Sequence, residues 1–139
     1  MREETLAQQP PMFGIYQSSC LRWDVAATPE QVRDSLLRSE YFRQWLHPQE
    51  FSTPLPDRLQ APCTYTSRLG PIAVGHQVTR ADDRTLHLIL SGGVDGFQEW
   101  TWGEGWVQSR IEGISLLPLA LAHTYALARL QYFLAQGLP

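Results

Sequence analysis

Charge is scarce in this chain of 139 residues: charged side chains make up 18% of it and the net charge is −3. Neutralising phosphates needs clustered Lys and Arg, and the eleven basic residues here are scattered, which excludes a nucleic-acid partner. Cysteine is almost absent too. Cys20 and Cys63 stand far apart, without CxxC or His-paired spacing, so they read as two free buried thiols of a cytoplasmic protein rather than a bridge or a zinc site. Long apolar runs are missing. The opening MREETLAQQPP has two acids and no apolar segment of a secretory signal, and reads as a disordered leader over 1–11. The most apolar stretch, Leu116 to Ala128, is interrupted by Pro118, His123 and Thr124, whereas a membrane span needs about 20 apolar residues. Integral membrane association is therefore not expected. There is no G-x-S-x-G elbow, HExxH, P-loop or paired metal-ligand spacing, so no catalytic set, cofactor or metal is assigned.

What is present is apolar: 43% of the residues, enough for one domain over 12–139 to bury a core unaided. Phe13 to Val25 is rich in strand formers. Thr28 then offers an N-cap, Pro29 a first helical position and Gln31 the far side of a capping box. Val32, Leu36 and Leu37 recur at helical spacing, and Ser39 can cap a second short helix, Glu40 to Leu46. A proline-rich loop follows from Phe51 to Pro62. Alternation then predicts strands over Thr64–Leu69, Ile72–Val78 and Thr85–Leu90, with Gly70-Pro71 and Ala81-Asp82-Asp83-Arg84 as turns.

Three of the five tryptophans flank the Gly-Glu-Gly segment 103–105, where Phe97–Trp102 and Trp106–Ile114 should form a hairpin. A turn at Gly103-Glu104 pairs Trp100 with Val107 and Gln98 with Ser109. It places Trp100, Val107, Ser109 and Ile111 on one face and Glu99, Gln108, Arg110 and Glu112 on the other. A three-residue turn pairs Trp102 with Trp106 and reverses the faces. The first is favoured because it keeps the charges outside. The last element, Ser115 to Gln136, is a helix apolar on most sides and therefore expected to be buried on more than one, Leu121 included; Gly137 and Pro139 stop it.

A strand, a capped helix pair written TPEQV…LL…YFRQWL, a run of antiparallel strands and one long helix resemble the START-like (SRPBCC) helix-grip superfamily. Its members include polyketide cyclase/dehydrase-like proteins, pollen-allergen-type carriers and lipid-transfer domains. The resemblance covers Phe13 to Gln136 and is sharpest in Ala27–Val32 followed by Trp45, with Arg33 standing where members often carry an aromatic. It implies an α+β fold in which a curved antiparallel sheet, with two short helices near its N-terminus, wraps around the C-terminal helix. It also implies a cavity between them for apolar or aromatic ligands.

On that basis the expected ligand-binding residues are Gln98, Trp100, Trp102, Ser109, Ile111, His123, Tyr125 and Leu127. His123 stands in an otherwise apolar helix, where an imidazole must find a partner or stay neutral, and His76 alternates with Ile72, Val74 and Val78. His47 and His87 read as surface residues. The leading reading is a binding protein for a small apolar, aromatic or lipid-like molecule. The alternatives are a metal-free cyclase/dehydrase-type enzyme using the same cavity, and an interaction module, including a homodimer, built on Trp106 and the outer face of the helix.

Overall fold

The chain turns from strand to helix at a single capping residue. In the computed structural model, which describes residues 14–52 and 54–137, β1 (Ile15–Asp24) gives way to α1 (Pro29–Leu37). The extended Thr28 accepts from the Gln31 amide at 3.1 Å, and its own amide donates to the Gln31 side chain at 2.9 Å. This is the capping box read from the sequence, with Pro29 in the first turn. Val32, Leu36 and Leu37 are buried, as their spacing predicts. α2 (Ser39–Trp45) departs from expectation at its start. Arg38 closes α1 and opens α2 at once, which leaves Ser39 already helical. The Ser39 amide donates instead to the Asp57 carbonyl at 3.0 Å, so the proline-rich loop closes this end. The expected leader over 1–11, Phe13 and Pro139 lie outside the described residues.

The other strands are β2 (Glu50–Phe51), β3 (Cys63–Leu69), β4 (Ile72–Ala81), β5 (Thr85–Gly92), β6 (Val94–Gly103) and β7 (Trp106–Ser115). All pairings are antiparallel, in the order β1-β7-β6-β5-β4-β3-β2. Asp82 closes the β4–β5 turn by accepting from the amides of Arg84 and Thr85 at 3.0 and 2.9 Å. Side chains alternate across the strands. Leu86, Leu88 and Leu90 are buried on the concave face, and Ile89 between them is exposed.

The β6–β7 hairpin turns one residue later than the sequence suggests. Gly103 pairs with Trp106, so the two turn residues are Glu104 and Gly105, and Trp100 pairs with Ser109 rather than Val107. Gly105 has φ +77°, a conformation open to glycine and costly for other residues, and its carbonyl accepts from the Val25 amide at 2.9 Å. The pairing is displaced by two residues from the expected one, and a shift of two preserves the faces. Trp100, Trp102, Val107, Ser109 and Ile111 are buried accordingly, with Arg110 exposed on the convex side. There Arg110 bonds Glu112, which also accepts from Tyr16 at 2.5 Å.

The C-terminal helix, α3 (Leu119–Ala135), begins four residues after the expected Ser115. Ser115 still belongs to β7, paired with Ile15. The connector is held by Gln17, whose side-chain amide donates to the carbonyls of Ser115 and Leu117 and accepts from the Leu119 amide. Seventeen helical residues span about 25 Å. α3 packs along β1 and against α1 and α2. Gln131 donates to the Asp24 carbonyl at 2.8 Å, and Arg129 reaches the Trp45 carbonyl at the end of α2 at 3.3 Å.

One stripe of α3 is buried: Leu119, His123, Leu127, Leu130 and Leu134. The opposite side faces solvent, with Leu121 at 68% and Tyr125 at 52% exposure. This corrects the expectation of burial on several sides. Apolar composition all round a helix does not show how many neighbours the sheet can offer it, and here the concave face meets one stripe. Among the described residues no helix is long and apolar enough to cross a membrane. The architecture is α+β, a curved seven-stranded antiparallel sheet around a long C-terminal helix, as the sequence predicts.

Candidate ligand-binding cavity

The concave face and α3 do not close completely on one another. Between them lies a cavity of about 150 Å³. Its walls come from Leu36 of α1, Phe42 and Trp45 of α2, Phe51 of β2, the inward residues of β3 to β7, and Leu119, Ala122, His123 and Ala126 of α3, with Leu46, Gln49 and Leu117 added from the connecting segments. Leu69 and Ala122 on this wall are exposed, which marks the mouth between the β3–β4 turn and the start of α3.

Aromatic rings make one side. Trp45 meets Trp100 edge-on with centroids 6.0 Å apart, and its indole N–H donates to the Ser35 carbonyl at 2.9 Å, which fixes the ring. Phe42, Phe51 and Tyr65 cluster beside it, with Phe42 edge-on to Phe51 at 5.3 Å.

The polar groups on the wall are few and uncharged. Tyr65 and His76 are cross-strand partners on β3 and β4, and their rings stack at 4.5 Å, within 4° of parallel. His76 Nε2 is hydrogen-bonded to the Ser67 hydroxyl at 3.0 Å. Across the cavity, His123 is 3% exposed and its Nδ1 is hydrogen-bonded to the Ser19 hydroxyl of β1 at 2.8 Å. Burial alone pulls both imidazoles down to about 4, so both are neutral at physiological pH. Burial also raises the Tyr65 phenol above its ordinary value. His76 Nδ1 and His123 Nε2 are buried without a hydrogen-bond partner. No Asp, Glu or Arg stands among the described lining residues.

Of the eight residues expected to bind ligand, the fold brings Gln98, Trp100, Ile111 and His123 to the wall. The other four lie elsewhere. Ser109 is fully buried behind the wall and accepts from the Gln98 amide at 3.3 Å, so it orients Gln98. Trp102 and Leu127 are packed in the core, and Tyr125 points to solvent. Tyr125 fails because helical spacing puts it two residues, about 200°, from His123. His76 reaches the wall, as its alternation suggests, while His47 is exposed. Sequence reading passed over Phe42, Trp45, Phe51, Tyr65 and Ser67 as site residues. The alternation of Cys63, Tyr65, Ser67 and Leu69 was the available signal for two of them. Trp106 is half-buried and lies under the Arg22 guanidinium at 4.0 Å, which makes it a packed residue of the hairpin tip. Both cysteines are free, but Cys20 is exposed and Cys63 only half-buried, since Cys20 falls on the convex parity of β1. Among the described residues no group of His, Cys, Asp and Glu could hold a metal ion.

No family model matches the chain, and no curated protein matches it. Solved structures do share its fold. Protein CV1439 from Chromobacterium violaceum is 17% identical with a TM-score of 0.69, over 84% of this chain and 96% of that one. CalU16 from Micromonospora echinospora is 15% identical with a TM-score of 0.64, over 86% and 77%. DynU16, from the dynemicin biosynthetic locus, is 16% identical with a TM-score of 0.66, over 88% of this chain and 48% of that one. At these identities the likeness is one of fold.

Proposed function

We propose that this chain is a small-molecule binding protein of the START-like helix-grip type, which takes a largely apolar, aromatic or lipid-like ligand between the sheet and α3. The observation that carries this is the cavity itself, walled by aromatic and aliphatic side chains with a few uncharged polar groups. A cavity of this size, about 150 Å³, accommodates one benzene-sized ring, so a larger ligand extends toward the mouth at Leu69 and Ala122. The fold shared with DynU16 and CalU16, the former from a biosynthetic locus, supports the same reading. The free thiols support a cytoplasmic setting. Catalysis of the cyclase type would call for a second ionisable group bonded to an imidazole. Each imidazole here is bonded to a serine, which favours binding.

Mass spectrometry of the natively purified protein should reveal a co-purifying apolar species. The uncharged probe N-phenyl-1-naphthylamine should bind saturably with micromolar affinity, about −8 kcal/mol, and quench Trp45 or Trp100. His123→Ala should change that affinity more than it changes the melting temperature. A protein that carries nothing and binds no apolar probe would overturn the reading. A homodimer through α3 is a second reading, favoured by Leu121, Tyr125 and Tyr132 standing exposed on that helix. Sedimentation at several concentrations decides it, a single monomeric species counting against.

A further inference from the structure

The unpartnered imidazole nitrogens are buried and shut off from the cavity, but two other polar groups on its wall are open to it. The Tyr65 hydroxyl and the Gln98 Oε1 have no hydrogen-bond partner among the described residues. Neither belongs to the buried unpartnered atoms, which are His76 Nδ1, Trp102 Nε1 and His123 Nε2. Tyr65 is enclosed by protein all the same, so the space its hydroxyl opens on is the cavity rather than bulk solvent. Both groups are held in place. The Tyr65 ring stacks on His76 at 4.5 Å and lies beside Phe42 and Phe51. Gln98 Nε2 donates to Ser109 Oγ at 3.3 Å, which leaves Oε1 for the cavity. Gln49 also reaches the wall, but from a connecting segment and with no side-chain hydrogen bond among the described residues to fix it.

The sheet register sets these two groups at different depths. Tyr65 is joined through His76 and Leu90 to Gly96, which puts it two residues nearer the mouth than Gln98. Gln98 lies deeper, two residues before Trp100 on β6, where Trp45 sets the inner boundary. β4 and β5 intervene, so the backbones stand roughly 14 Å apart at about 4.8 Å per strand, and the concave curve brings the side-chain tips closer. An amide oxygen only accepts, whereas a phenol both donates and accepts. Resting on the binding function proposed above, we propose that Gln98 and Tyr65 are the two polar contacts that orient the ligand, and that the ligand is a fused aromatic with an oxygen at each end. A hydroxyl at its inner end donates to Gln98, and a hydroxyl or carbonyl oxygen on the mouth side meets Tyr65. Because both groups are fixed before the ligand arrives, little ordering is lost on binding. A plain hydrocarbon fills the same space but leaves both groups without a partner.

Naphthalene, 2-naphthol and 2,6-dihydroxynaphthalene test this at neutral pH by equilibrium dialysis. Each added hydroxyl should tighten binding roughly 3- to 10-fold, the worth of a net hydrogen bond. Tyr65→Phe keeps the stacked ring and loses only the hydroxyl, and Gln98→Met keeps the length and loses the amide. Each should cancel one of the two steps for the diol and leave naphthalene binding unchanged, with folding verified by circular dichroism. The double variant should bind all three probes alike. Should Gln98→Met fail to fold because Ser109 loses its partner, Tyr65→Phe still decides. Equal binding of the three probes by the unaltered protein would overturn the selection while leaving the binding function standing, as would a full hydroxyl preference that survives Tyr65→Phe. Failure of all three probes to bind would sink the binding function, and the selection with it.

Discussion

Acidification should weaken this fold well before its carboxylates protonate. His76 and His123 are held neutral by burial, with values near 4, against about 6.5 for an accessible imidazole. As pH falls below about 6.5 the unfolded chain gains a proton at each site, while the native state resists until about 4. Unfolding therefore takes up protons in this window, and stability present above it is lost as pH falls through it. Each group contributes a slope of at most about 1.4 kcal/mol per pH unit. Between about pH 7.5 and about pH 5 the loss is roughly 2 kcal/mol per histidine and roughly 4 for the pair, a large share of the roughly 5–15 kcal/mol that holds a domain together. Urea unfolding at the two pH values measures this directly. His123→Gln, whose amide can still meet Ser19, should remove about half of the pH dependence. An unchanged urea midpoint at the two pH values would refute the reasoning. So would a full-sized loss in a double variant, His76→Gln with His123→Gln, which lacks both imidazoles.

Leu127, fully buried at 0% exposure, should cost about 2–5 kcal/mol on conversion to alanine. Leu121→Ala, on the exposed side of the same helix, should stay within about 0.5 kcal/mol; similar losses at the two positions in chemical denaturation would contradict the packing of α3. Gly105→Ala meets no steric obstacle nearer than the Val25 carbonyl at 3.9 Å, so its cost should be the backbone term alone, about 1–2 kcal/mol for a side chain at positive φ. A neutral result would mean that the hairpin turns elsewhere. Reducing agent should leave the melting temperature unchanged, both thiols being free, and a drop of several degrees would reveal a bridge, intermolecular through the exposed Cys20.

The fold was legible wherever a local rule and a periodic pattern agreed. Thr28, Pro29 and Gln31 fix a helix start by their own hydrogen bonds, whatever packs on it afterwards. Leu86, Leu88 and Leu90 announce a half-buried strand by parity alone. Boundaries that depend on distant partners were not legible. The start of α3 is set by Gln17, about a hundred residues earlier, which holds three backbone groups of the connector in an extended path. Ser39 lost its capping role because Arg38 serves both helices. The hairpin is the instructive middle case. The glycine that requires positive φ is Gly105, not Gly103, and its bond to the strand exit at Val25 settles the choice. The inward set survived only because the error was an even number of residues.

The cavity was legible in kind more than in membership, for a geometric reason. Facing parity says which side of a strand a residue is on, but not how far along the strand the sheet has pulled away from the helix. Gln98, Trp100 and Trp102 all face inward on β6, yet Trp102 is packed solid while the other two line open space. Distance from the helix pair decides this, and α2 brings Trp45 against Trp100 to set the inner boundary. His123 was legible because an imidazole among leucines and alanines stands out in any pattern. Its partner was not, since Ser19 is one of two adjacent serines on an ordinary strand, and only the path of α3 along β1 selects it. The same holds for Ser67 and His76, which only the β3–β4 pairing joins. Chemistry that depends on pairs thus appears only when the sheet is assembled. The repeated Ser–His arrangement on two walls of one cavity is therefore the feature that experiment should address first.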